Sequence, residues 1–173
     1  MKILSLLQPW ATLVVTGAKL VETRSWQTPY RGPVFIHASG DLNKKFKGMD
    51  ITPALTSLCP HFKDFIKPQT LQFGRIVGMC EIVTCVRTED IAPTLSEQEL
   101  AFGDYTKGRW AWQLSNHVSF DHAIPIKGQL GLIKFVLETR CKMCDSGHFP
   151  TDKFHVVWVA GKKQEVIRCQ NIL

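Results

Sequence analysis

Short β-prone runs follow one another through this chain, and a single brief helical pattern interrupts them close to the N-terminus. That order argues against a doubly wound sheet, which needs a crossover helix after nearly every strand. It points instead to an α+β fold, a small mixed β-barrel with one early short helix and peripheral helices. Met1 to Leu7 has the character of a short buried strand, and Pro9 fixes φ where the next element begins. Trp10, Leu13, Val14 and Leu20 then fall at roughly helical spacing, with Gly17 placed to end the helix in the left-handed conformation. Val34 to Ala38, Arg75 to Val86 and the alternating Trp110, Trp112 and Leu114 are strand-like, and Val118 to Ile124, Leu130 to Val136 and His155 to Val159 add further β segments. A helix capped by Thr94 or Ser96 is expected over Glu97 to Phe102. Cys80 and Cys85 stand five apart in one β run, so strict alternation sends them to opposite faces.

The 173 residues suffice for one good core and are short for two, so a single domain over 1–173 is expected. Hydrophobic residues at 45% and charged residues at 21% give the balance of a globular chain. The polar, proline-containing stretch from about 40 to 72, with a helical patch at Phe62 to Ile66, reads as an insertion. Apolar runs stay far below the roughly 20 residues needed to cross a bilayer, and Gln8 and Pro9 break the N-terminal one. No membrane span or signal peptide is expected, and the location implied is cytoplasmic, with reduced thiols rather than a disulfide framework.

Past Gly17 the chain is extended, so Glu22 and Arg24, two apart, share a face, and Lys19 has the reach to join them across the corner. An ammonium, a carboxylate and a guanidinium on one face can hold a base edge: Glu22 accepts from an exocyclic amine while Arg24 or Arg31 binds a phosphate or carbonyl oxygen. Gln8 adds a neutral hydrogen-bonding group. Trp10 and Trp26 offer flat stacking surfaces, as Trp110 and Trp112 do, unless packing claims them. His37, at a strand end before Ser39, either orients a ligand or satisfies a backbone carbonyl. Lys19 with Glu22 is the candidate catalytic pair; the alternative for Glu22 and Arg24 is a structural ion pair.

Gly17, Lys19, Glu22 and Arg24 spell G-x-K-x-x-E-x-R, and with Gln8-Pro9-Trp10-Ala11, Ser25-Trp26, Tyr30-Arg31-Gly32 and Ile36-His37-Ala38-Ser39 the N-terminal half resembles the ASCH domains. Gly78, Glu81 and Trp110 to Leu114 extend the resemblance more loosely. It implies a fold similar to PUA domains, a small curved barrel with helices across its mouth, in a family with RNA-related roles. Some ASCH proteins are amidohydrolases that remove the acetyl group of N4-acetylcytidine with a lysine, a threonine and a glutamate. Lys19 stands at that lysine's place, whereas Glu22 stands where the threonine would be.

The expected function is binding of RNA or a cytidine-like nucleoside in a cleft built on this motif; the alternatives are an N4-acetylcytidine amidohydrolase and a small ribonuclease. A net charge of +6 and a pI near 9.1 favour a polyanionic partner. No cofactor is expected. Cys141 and Cys144 nevertheless have zinc-ligand spacing, and His148 or the distant Cys59 and His61 could complete a tetrahedral site.

Overall fold

The computed structural model describes residues 2–40, 50–128, 131–134, 158–159 and 162–163. Two units are distinguished, Lys2–Ile133 and a second made of Met1 with Lys134–Leu173. Within the second, β7 (Trp158–Val159) pairs antiparallel with β8 (Lys162–Lys163). Of the expected segments Leu130 to Val136 and His155 to Val159, residues 131–134 and 158–159 are described and the rest lie outside the described residues, as do Cys141, Cys144 and His148.

The first unit is built on a mixed six-stranded sheet with the order β2-β5-β4-β3-β1-β6. Its strands are β1 (Lys2–Leu6), β2 (Val21–Arg24), β3 (Gly32–Ala38), β4 (Arg75–Arg87), β5 (Trp110–Pro125) and β6 (Leu132–Lys134). β1 and β3 run parallel, while β3, β4, β5 and β2 pair antiparallel in that sequence. The result is the expected α+β half-barrel with a few short helices: α1 (Trp10–Val15), α2 (Thr52–Leu58), α3 (Thr88–Ile91) and α4 (Glu97–Ala101).

Gly17 ends α1 at φ +77°, and the Gly17 and Lys19 amides donate to Val14 O and Leu13 O. Burying Val14 and Val15 draws α1 onto the sheet, where Gly78 of β4 makes room: a Cβ there would overlap the Val118 carbonyl oxygen and the Val15 side chain. Ser96, rather than Thr94, caps α4, its hydroxyl accepting from the Glu99 amide at 3.2 Å.

Two sequence expectations change. Trp110–Leu114 and Val118–Ile124 are one continuous strand, because Asn116 at φ +50° and a register shift opposite Met79–Glu81 carry β5 through a bulge. A second shift, between Ile82 and Thr84, resets the alternation of β4, so Cys80 and Cys85 both turn into the same buried cluster.

That cluster, centred on Leu4, Val34, Ile36, Ile82 and Trp112, fills the space between sheet and α1. A second one joins Leu13 and Phe102 to Leu55, Cys59, Phe62, Ile66 and Leu71 from the segment expected as an insertion. Each of these large side chains contributes about 1.5–3 kcal/mol when fully removed from water.

Candidate functional site

Between the sheet end and the helices of the second cluster lies a cleft of about 630 Å³. β2 furnishes one wall: Glu22 and Arg24 alternate on it, and Arg24 Nε lies 3.0 Å from Glu22 Oε1. An Arg24 Nη2 hydrogen bond to Ser5 O, 3.1 Å, ties the guanidinium to β1 as well. The Glu22 side chain is only 10% exposed, and its contact with Arg24 is an ion pair without hydrogen-bond geometry, Arg24 Nε having no hydrogen-bond partner among the described residues.

Gly103, Asp104 and Arg109 complete the lining, with Asp104 and Arg109 held against Thr23 of β2. Arg109 Nε pairs with Asp104 Oδ2 at 3.3 Å and donates to Asp104 O, while Nη2 donates to Thr23 O. Hydrogen bonds from the Thr106 hydroxyl and amide, with smaller help from Arg109, hold the Asp104 carboxyl below the usual carboxylate range. Trp10, Leu7 and Leu58 add apolar surface at the mouth, Leu7 and Leu58 being exposed, and Ser39 lies on the lining.

Lys19, expected to bring its ammonium to this open face, is buried at 1% exposure. Its Nζ sits 3.5 Å from Glu99 Oε1 and makes no hydrogen bond among the described residues. A Cβ at Gly103 would come 3.3 Å from Nζ, so the ammonium lies just behind the cleft wall rather than in the cleft. Glu99 is the centre of this buried group, accepting from Leu20 N at 2.7 Å, Val21 N at 3.2 Å and the Tyr105 hydroxyl at 3.1 Å. Burial, then the Glu99 carboxylate, push the Tyr105 hydroxyl far above its ordinary value.

The other sequence candidates take varied places. Gln8 is fully buried, its amide bridging Gln72 O, Thr12 N and the Thr12 hydroxyl. Trp26 packs edge-on against Trp112 with ring centroids 4.7 Å apart, away from the cleft lining. Arg31 donates to Thr28 O and Tyr30 O, bracing its own turn. His37 stands behind Ser5: Ile126 O can only accept, so Nε2 carries a proton, and Nδ1 is hydrogen-bonded with the Ser5 hydroxyl at 3.1 Å. Of the zinc candidates, Cys59 is buried in the second cluster and His61 lies on the surface 4.0 Å from Asp64. Among the described residues no three His, Cys, Asp or Glu side chains are grouped to hold a metal.

Sequence reasoning missed Ser5, Glu99, Asp104 and Arg109. The S-x-x-E spacing of Ser96 and Glu99 signals a capping box, in which the glutamate reaches back to its own helix start. Here the carboxylate crosses instead to the start of β2.

The ASCH domain pattern matches residues 4–124. The mouse protein activating signal cointegrator 1 is 35% identical over 83 residues, which is 48% of this chain and 14% of that protein. Its human counterpart is 36% identical over 84 residues, again 48% and 14%. The chain thus matches only a small part of these relatives' length. The crystal structure of ASCH from Zymomonas mobilis is similar at a TM-score of 0.43 and 18% identity, covering 72% of each chain. No described helix is long and apolar enough to cross a membrane. With its motif on β2 and a family match that runs from β1 into β5, this chain belongs to the ASCH-domain family.

Proposed function

We propose that the cleft binds a nucleobase of RNA, or a cytidine-like nucleoside, through Glu22 and Arg24. The observation that supports this most is the Glu22–Arg24 ion pair at 3.0 Å on the cleft wall. A carboxylate fixed by a guanidinium on one oxygen presents the other to an exocyclic amine, and the remaining Arg24 donors suit a ring carbonyl or a phosphate. Pockets of about 300–1,000 Å³ are the usual size for small organic ligands. Trp10 at the mouth supplies a stacking face, and the chain's +6 charge attracts a polyanion.

A second reading, hydrolysis of the N4-acetyl amide, draws on the Lys19 ammonium behind Gly103. It requires ligand access to a group that is 1% exposed, as does a ribonuclease relying on Lys19, since a proton-transfer group must come within hydrogen-bond reach of the reacting atoms. Binding has no such requirement.

The test is to titrate the protein with cytidine 5′-monophosphate and a short RNA, and to incubate it with N4-acetylcytidine. Saturable binding without release of cytidine or fragments is expected. Glu22→Gln should weaken it about tenfold or more, the usual worth of a charged hydrogen bond. Absence of saturable binding, or full affinity in Glu22→Gln and Arg24→Ala, would refute the proposal.

A further inference from the structure

Strand register carries the basic surface beyond the cleft. Arg24 of β2 lies opposite Trp110 of β5, and Trp110 lies opposite Arg87 of β4. Directly opposed residues of antiparallel strands project to the same face, so these three side chains form one row across the sheet end. Two strand spacings, about 10 Å, separate its outer members at the backbone. Arg109, next to Trp110, links the row to the cleft through its hydrogen bond to Thr23 O.

Arg87 differs from the other two arginines. Arg24 and Arg109 each hold a carboxylate partner, Glu22 and Asp104. Arg87 is exposed and has no ion pair within 4.0 Å among the described residues. Its guanidinium carbon stacks 3.9 Å above the Trp110 ring centroid, and Nη1 donates to Gly108 O at 3.1 Å. Hydrogen bonds from its own amide and the Gly108 amide, then from the Thr88 hydroxyl, lower the Glu89 carboxyl, and the nearby Arg87 adds the smallest contribution. A stack on an aromatic face fixes the guanidinium plane and leaves most of its five donors directed outward.

We infer that the ligand of the cleft is one unit of a single RNA strand, and that the strand continues across Arg109 to Arg87, whose stacked guanidinium holds a phosphate of a neighbouring nucleotide. This rests on the nucleobase reading of the cleft and extends it from a free nucleoside to an oligomer. A free nucleoside leaves Arg87 without a role, whereas a strand leaving the cleft meets it next. The arginine stacked on tryptophan is a preorganised cation, without an ion pair within 4.0 Å among the described residues, where such a strand needs one.

The experiment compares cytidine 5′-monophosphate with a hexaribonucleotide at two salt concentrations, using the wild-type chain, Arg87→Ala and Arg87→Lys. Wild type should bind the hexamer at least tenfold more tightly than the mononucleotide. Arg87→Ala should weaken hexamer binding about tenfold and flatten its logarithmic salt slope by about 0.7, the value for one phosphate contact on a single strand. Its mononucleotide affinity should not change. Arg87→Lys should keep the salt slope and lose part of the affinity, because charge remains while the stacked plane is gone; it also stands in if the alanine variant does not fold. Equal affinity for monomer and hexamer, or hexamer binding and salt slope untouched by either substitution, would overturn the inference while leaving the cleft reading intact. Failure of wild type to bind either ligand would overturn both.

Discussion

Replacing Glu99 by glutamine should cost far more stability than replacing Lys19 by methionine, although the two form one ion pair. At 3.5 Å the charges attract by about 5 kcal/mol at the effective dielectric of about 20 suited to protein sites, and most of this offsets the loss of hydration. What remains after each substitution differs. In Lys19→Met the Glu99 carboxylate keeps the Leu20 and Val21 amides and the Tyr105 hydroxyl, while methionine fills the channel of the lysine stem. The expected cost is about 1–2 kcal/mol, the range for losing one charged interaction with the rest of the group satisfied. In Glu99→Gln the Lys19 ammonium, 1% exposed, has no counter-charge among its described neighbours. An uncompensated buried charge costs about 3–5 kcal/mol, or about 10 °C in Tm for a chain of this size. Urea unfolding of both variants and of the double variant measures this directly. The double variant should recover much of the Glu99→Gln loss. Equal costs for the single variants, or a Glu99→Gln cost below about 1 kcal/mol, would refute the account, since a buried charge left alone is costly.

Gly78→Ala should destabilise by about 1–3 kcal/mol, because the added methyl meets the Val118 carbonyl and Val15 with no space to retreat; denaturant midpoints check it. Burial raises the Cys80 thiol to about 12 and lifts Cys59 too, so both should resist alkylation in the folded chain, as mass spectrometry of the labelled sites would show. These raised values also mean that stability is intact below the ordinary thiol range and declines as pH rises through it, since only the unfolded chain then ionises. The depressed Asp104 carboxyl acts in the opposite sense: its contribution is present above the ordinary carboxylate range and is lost as pH falls through the folded value. Asp104→Asn should therefore flatten the acid limb of a stability–pH profile; an unchanged limb would count against it.

The sheet was legible because its signals are local. Alternation marks β3, β4 and β5, and a glycine after an apolar run marks the end of α1. The bulges were not, since an extra residue in β4 is decided by its partner's register and leaves no trace in composition. Glu22 and Arg24 could be placed on one face from spacing alone, yet the depth of Lys19 could not. A lysine after a helix stop reads as solvated unless its counter-charge is known, and that charge sits 80 residues away in sequence, on Glu99. Asp104 and Arg109 belong to a loop with no motif of its own, and only the fold returns it to β2.

Phe102 connects these parts in a further way. It is anchored in the cluster supplied by Leu55, Cys59, Phe62, Ile66 and Leu71, and it stands beside Gly103 on the cleft, where Leu58 of α2 forms part of the same mouth. One side of the opening is therefore set by β-sheet register and the other by the stretch of about 50–72, which contributes no strand. Grafting a different stretch there, with its inward apolar residues preserved, would recut the mouth for another ligand while β2 and its charged pair stayed in place.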